Sequence, residues 1–387
     1  MSTEKPRYLG VFAFFEEVPE PRVERTRDHP LMTVLAIALL TIICVGDGWE
    51  DMHAFGVAKE AWLATFLDMR KGVPSADTFR RVMGAIKPGA FNTCFIRWAQ
   101  ALSEKTLGKL IAIDGKTVRR SFDKALGKKA LHIVSAWAED NRLTLGQVAT
   151  EEKSNEITAI PRLLALLDLR GATVTVDAMG CQRAIAEKVI EQGADYIMGL
   201  KGNQGTAHKE VKQFFTDAIA SDFRDIEHTR DETVDGSEHG RLEVRRVVAT
   251  QELGWFQDLP KWKGLRSLIM IERERTVGSE PTTVERQYYW SSHAKDAKSF
   301  GAMIRGHWGI ENRLHWCLDV AFREDESRIR TDHGPENIAL LRKVAMNLAK
   351  SERTSKRGIQ AKRKLAAWDD AYLIKLLQAG LPANQAN

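Results

Sequence analysis

Two short apolar runs, each meeting an aspartate, constrain this chain more than any other feature. Leu110-Ile111-Ala112-Ile113 leads into Asp114-Gly115, and Ala172-Thr173-Val174-Thr175-Val176 leads into Asp177. Runs this short, apolar without alternation, predict strands buried on both faces of a sheet and stopping at the acid. Between them, His132 to Trp137 and Leu143 to Ala149 flank the turn-like Glu139-Asp140-Asn141-Arg142, which predicts a hairpin. Ser154 or Asn155 then caps a helix in which Ile157, Ile160, Leu164 and Leu167 recur at helical spacing, with Gly171 beyond its end. Right-handed crossovers lay the returning strand parallel to the first, and ligands of such sheets gather at the strands' carboxyl ends. Asp114 and Asp177 are therefore expected to be neighbours.

A helix from Cys181 to Gln192 and a strand from Asp195 to Leu200, ending in Lys201-Gly202-Asn203-Gln204, continue the alternation. This is an α/β chain with the element order of a ribonuclease-H-like core. Adjacent carboxylates repel, and the usual relief is a hard cation with oxygen ligands. With a third carboxylate the site would hold two ions, about 3.5 to 4 Å apart, on the attacking and leaving oxygens of a phosphoryl displacement. A helix from Phe300 to Val320 offers that acid. Ile304, His307, Trp308, Glu311, Leu314, His315 and Leu318 share one stripe, so Glu311 is expected to face the core among apolar neighbours. An acid there is costly unless paired or metal-bound. The spacing of His307, Glu311 and His315 also suits zinc, but other zinc signatures are missing and both aspartates would be left unexplained. Downstream, Asp319 is a candidate orienting acid for His315, whereas Glu324 and Asp325 fall in a charge cluster expected to be a solvated turn or to find an Arg partner.

Around this core lie other pieces. Residues 1–105 read as a helical domain, in which Gly72-Val73-Pro74 precedes a helix capped by Ser75 or Asp77. Arg80 and Arg81 project near its start, as in a helix-turn-helix on DNA or in an ordinary hairpin with solvated arginines. The core is expected to span 106–204 and 293–350, interrupted by a β-rich insertion at 205–292 with strands at Leu242 to Thr250, Leu265 to Glu274 and Val284 to Trp290. Trp255, Trp262 and Trp290 of the insertion either stack on an extruded base or fill a core. A basic helical tail occupies 351–387, its charges from Ser351 to Lys364 either gripping phosphate or solvated. Lys and Arg total 57 against 52 Asp and Glu, a net +5, which permits nucleic acid without requiring it. The four cysteines are scattered, fitting a reducing cytoplasm. Leu31 to Val45 is shorter than the roughly 20 residues of a membrane span, so no membrane is expected and that segment reads as a buried helix.

Four segments carry a resemblance: Ile111-Ala112-Ile113-Asp114-Gly115-Lys116-Thr117, Glu152-Lys153-Ser154-Asn155-Glu156-Ile157-Thr158-Ala159-Ile160-Pro161, Val174-Thr175-Val176-Asp177-Ala178-Met179-Gly180-Cys181-Gln182 and His307-Trp308-Gly309-Ile310-Glu311-Asn312. Together they resemble the DDE transposases of the ISAs insertion-sequence family, which includes the H-repeat-associated proteins. The resemblance implies Asp114, Asp177 and Glu311 as a metal-binding catalytic triad for two Mg2+ or Mn2+ ions. It also implies double-stranded DNA as partner, both transposon ends and target, a homodimer on DNA, and a place in the bacterial cytoplasm on the nucleoid. Hydrolysis at an end would release a 3′ hydroxyl for transfer to target. A larger related superfamily carries Tyr-x2-Arg-x3-Glu-x6-Lys around its glutamate. This chain has Ile304, His307 and Leu318 at those positions, leaving His307 and Arg305 as substitutes. Lys116, Lys201, Asn203 and Gln204 complete the expected DNA contacts. A ribonuclease-H-like nuclease without strand transfer and an inactive DNA-binding derivative are the alternatives.

Overall fold

The computed structural model describes residues 10–103, 108–122, 127–151, 155–237, 241–278 and 281–381. Nine strands form one sheet: β1 (Leu110–Val118), β2 (Leu131–Ala138), β3 (Leu143–Ala149), β4 (Thr173–Val176), β5 (Asp195–Leu200), β6 (His228–Ser237), β7 (Arg241–Thr250), β8 (Ser267–Val277) and β9 (Thr283–Ser291). Their order is β3-β2-β1-β4-β5-β9-β8-β7-β6. β1, β4 and β5 run parallel, and the remaining pairs are antiparallel. The mixed α/β architecture, the hairpin and the parallel return strand match the expectation.

The segment after β5 is β-rich as expected, with β7, β8 and β9 at the three expected places. Its strands continue the main sheet through β5–β9 pairing. β6 and a helix from Gly205 to Ala220 were not anticipated. β6 is rich in charge and has no clean alternation, and a period-2 search passes over it.

Helices cover the sheet and build a second body beside it. They are α1 (Val11–Phe15), α2 (Leu31–Ile43), α3 (Trp49–Ala58), α4 (Glu60–Leu63), α5 (Ala76–Ala85), α6 (Pro88–Leu102), α7 (Glu156–Leu164), α8 (Arg183–Glu191), α9 (Gly205–Ala220), α10 (Ala297–Gly309), α11 (Trp316–Phe322), α12 (Gly334–Ser351), α13 (Ile359–Trp368) and α14 (Asp370–Gln378). Asn155 caps α7 by accepting from the Ile157 amide, whereas Ser154 lies outside the described residues. The amino-terminal helices share one apolar core with α11 to α14, and α7, α8 and α9 pack on the sheet in another. Glu24–Ile43 is apolar and long enough to cross a membrane by composition, yet α2 is buried from Met32 to Ile43 against α3, α5 and α12. It is a core helix.

Candidate active site

Register puts the two aspartates side by side. The last parallel pair of β1 and β4 is Ile113 with Val176, so Asp114 and Asp177 are the next residues of adjacent strands. β1 does not stop at Asp114, as its apolar run had implied, but continues antiparallel to β2 until Val118 meets Leu131. It is β4 that ends. Asp177 turns the chain by accepting from the Gly180 amide at 3.0 Å. Gly180 and Gly199 let that turn lie close: a Cβ on Gly180 would stand 2.8 Å from the Val176 Cβ, and one on Gly199 would be 3.2 Å from the Ala178 nitrogen. Asn203 donates to the Ala178 carbonyl and Gln204 to the Cys181 carbonyl at 2.8 Å. Those amide donors, expected on DNA, are spent on bracing the Asp177 turn.

Glu311 arrives on the long helix, with a correction. Gly306 and Gly309 bring α10 onto β1 and Glu139, since Cβ atoms there would stand 2.3 Å from Leu110 Cδ2 and 1.9 Å from a Glu139 oxygen. His307 Nδ1 meets Thr175 Oγ1 at 2.9 Å, fixing the helix on β4. Then Ile310–His315 form a π-helical turn before α11. The extra residue per turn rotates the stripe, so Glu311 is exposed and the apolar face resumes at Leu314. Glu311 thus faces a cleft of about 390 Å³ that it lines with Asp177, Thr175, Lys201, His307 and Trp308. Among the described residues, the Lys201 ammonium has no hydrogen-bond or ion-pair partner.

The charge balance is lopsided. Asp114 is pushed up to about 7 by burial, with Glu156, Asp177 and Glu311 adding like-charge repulsion and the Gly115 amide opposing them. His315 Nδ1 stands 3.5 Å from Asp114 Oδ2, but burial and the nearby Lys343 and Lys116 push this imidazole down to about 3. It is a neutral neighbour and not a counter-ion. Burial likewise takes His307 down to about 4, against the pull of Asp177. Among the described residues no three of His, Cys, Asp and Glu are grouped closely enough to hold a metal ion, and this applies to His307, Glu311 and His315 and to Asp114, Asp177 and Glu311 alike. The carboxylates of Glu156, Asp177 and Glu311 are nonetheless near enough to raise Asp114, and they carry hard oxygen donors. That environment fits a divalent ion.

Glu156 was missed as a site residue. It is 8% exposed and accepts from His132 Nε2 at 2.7 Å, and His132 Nδ1 meets Thr117 Oγ1 at 2.8 Å. A Cβ on Gly115 would fall 2.1 Å from a Glu156 oxygen, so glycine beside Asp114 is what lets this fourth carboxylate approach. The available signal was Glu156's place in a recognised segment.

Residues 105–348 match the family model described as "Transposase DDE domain", and residues 12–99 match one described as "DDE_Tnp_1-associated". The chain belongs to the DDE transposases. It is 40% identical to "Putative transposase YncI" of Escherichia coli O157:H7 over 94% of this chain and 93% of the relative. Identity to "H repeat-associated putative transposase YhhI" of Escherichia coli (strain K12) is 37%, over 93% of this chain and 95% of the relative. A third relative, "Inactive transposase YbfQ" of the same strain, matches at 33% over only 14% of this chain.

Other expected DNA contacts of this DDE transposase lie in varied settings. Lys116 is withdrawn: its ammonium is 2.7 Å from Asp319, 2.9 Å from Asp325 and 3.3 Å from Glu324. Glu324 is 1% exposed, the reverse of a solvated turn, with Lys116, Lys343 and Arg342 reaching it from other segments. Asp319 faces Lys116 and does not orient His315. Arg80 and Arg81 both pair with Asp77 on the outer face of α5, whose cap is Ser75. Arg305 is exposed and donates to Thr233. Trp262 and Trp290 are buried against each other at 4.1 Å, and Trp255 stacks on Phe214, so none of the three lines the cleft. In the tail, Lys362 and Arg363 are buried on backbone carbonyls and do not present charge to solvent.

Proposed function

We propose that the protein cleaves DNA at the ends of a mobile element and joins the freed 3′ ends to target DNA, with Asp114, Asp177 and Glu311 as its catalytic acids. The observation that carries the reading is the adjacency of Asp114 and Asp177 in β1 and just after β4, with Glu311 near enough to raise the Asp114 carboxyl, in a chain of this family. The order β3-β2-β1-β4-β5, with three parallel strands and a hairpin, supports a ribonuclease-H-like core. The acids would hold two Mg2+ or Mn2+ ions, whose chemistry when bound is polarisation of the attacking and leaving oxygens of the phosphodiester.

The chain's own residues set the stage for that step. Gly180, Asn203 and Gln204 fix the turn that aims Asp177. His307, neutral and bonded to Thr175, holds α10 so that Glu311 reaches the same cleft. Lys201, which lines the same cleft, would meet the scissile phosphate. Two copies on DNA would pair two ends.

A supercoiled plasmid carrying the gene with its natural flanks is the test substrate. Wild-type protein with Mg2+ or Mn2+ should nick at the flanks and give joined products. Asp177→Asn and Glu311→Gln should each lower both by several orders of magnitude without shifting the melting curve downward. Cleavage retained in a folded Asp177→Asn protein would overturn the triad, and cleavage without joining would reduce the protein to a nuclease.

A further inference from the structure

The face of the sheet under α10 carries a row of charge that stability does not explain. Cross-strand register aligns Thr233, Arg245, Arg273 and Glu285 along β6, β7, β8 and β9. Two arginines are directly opposed, an arrangement that costs stability in a sheet. From above, Arg305 of α10 reaches Thr233 at 3.2 Å. Glu243 at 2.9 Å and Glu285 at 3.7 Å offset two of the three cations. Burial and the neighbouring Arg305 and Arg273 hold Arg245 below the usual arginine range despite Glu243. The opposite face shows what a settled charge row looks like: Arg246 binds Glu232, Glu272 and Glu274.

A small pocket of about 20 Å³ sits beside Arg245, Arg273 and Arg305 between α10 and the sheet, and Gln287, Tyr289, Ile304 and Trp308 line both it and the cleft holding Asp177 and Glu311. Trp308 is 42% exposed where the two meet. Its ring offers a stacking platform to a base, and guanidiniums spaced across a sheet face suit successive phosphates. We propose that Arg245, Arg273 and Arg305, with Trp308 at the junction, seat the backbone of the DNA strand where it leaves the catalytic cleft. This rests on the transposase reading and assigns it a track across the segment between β5 and α10.

The test is binding of full-length protein to a linear duplex of arbitrary sequence in EDTA, titrated with salt. Wild type should show affinity falling linearly on a log-log plot. Arg245→Gln/Arg273→Gln should weaken binding and lower that slope by about two, and should melt no lower than wild type because an opposed pair is relieved. Arg246→Gln should leave slope and affinity unchanged. If the double variant fails to fold, Arg305→Gln, on an exposed helix face, should lower the slope by about one. A folded double variant, or Arg305→Gln, with wild-type affinity and slope overturns the seat while leaving the DNA reading intact. Wild type that does not bind DNA in a salt-dependent way overturns both.

Discussion

β1 carries two acidic clusters two residues apart, and they have been treated oppositely by the fold. At Lys116, three carboxylates of the 319–325 segment close on one ammonium, and Lys343 and Arg342 add to the balance. Burial alone would raise the Glu324 carboxyl, yet Lys343, Lys116 and Arg342 hold it below the usual range. At Asp114 the neighbours are Glu156, Asp177 and Glu311, and the carboxyl goes up instead. Glu324, 1% exposed, is held down by cations that the chain supplies, whereas Asp114, partly exposed, is raised by burial and by neighbouring carboxylates.

Breaking the balanced cluster should have the largest effect on the fold. Glu324→Ala leaves Lys116 and Lys343 buried with less compensation and should cost about 3–5 kcal/mol in chemical denaturation. A loss below about 1 kcal/mol would erase the contrast. Next comes the unbalanced cluster. Asp114 has a folded pKa near 7 against 3.8 for the free group, so its ionisation opposes folding. The stability it allows is fully present below about pH 3.8 and lost as pH rises through about 7. In EDTA, Asp114→Asn should therefore flatten the stability profile across that window and melt higher than wild type near neutrality. Mg2+ or Mn2+ at 100 times its Kd should stabilise wild type by about 2.7 kcal/mol and the variant far less. Identical metal responses would remove Asp114 as a ligand. The smallest effect belongs to His132, which touches Glu156 rather than the triad. His132→Gln should cost about 1 kcal/mol and weaken Mn2+ binding, read by calorimetry, by roughly 10-fold. Unchanged Mn2+ affinity would leave Glu156 a packing residue.

How much of this was legible in the sequence depended on whether the cause was local. The elements from Leu110 to Leu200 follow from periodicity and caps, so the neighbourhood of Asp114 and Asp177 could be inferred. Glu311 is expected on a buried stripe and within the His-Trp-Gly-Ile-Glu-Asn motif, but the π turn exposes it, and no 3.6-residue pattern contains that extra residue. The burial of Glu324 and the ion pairs of Lys116 could not be read locally because these partners lie some two hundred positions apart. Arg245 opposite Arg273 required the register of two strands that local patterning locates but does not align. The joining of β9 to β5 is equally non-local.

That junction has a consequence in time. β5 is buried from Tyr196 to Leu200, and its outer edge is paired by Tyr288–Ser291 of β9. On a ribosome moving at 5–20 residues per second, the interval between the two strands is on the order of ten seconds. Through that interval the nascent chain holds an apolar strand with one open edge, the kind of edge on which chains aggregate. α9 emerges first and packs into the same core as β5, shielding its face while the edge waits. Glu311 emerges only after β9 has closed the sheet, so a growing or truncated chain reaches its third acid last of all.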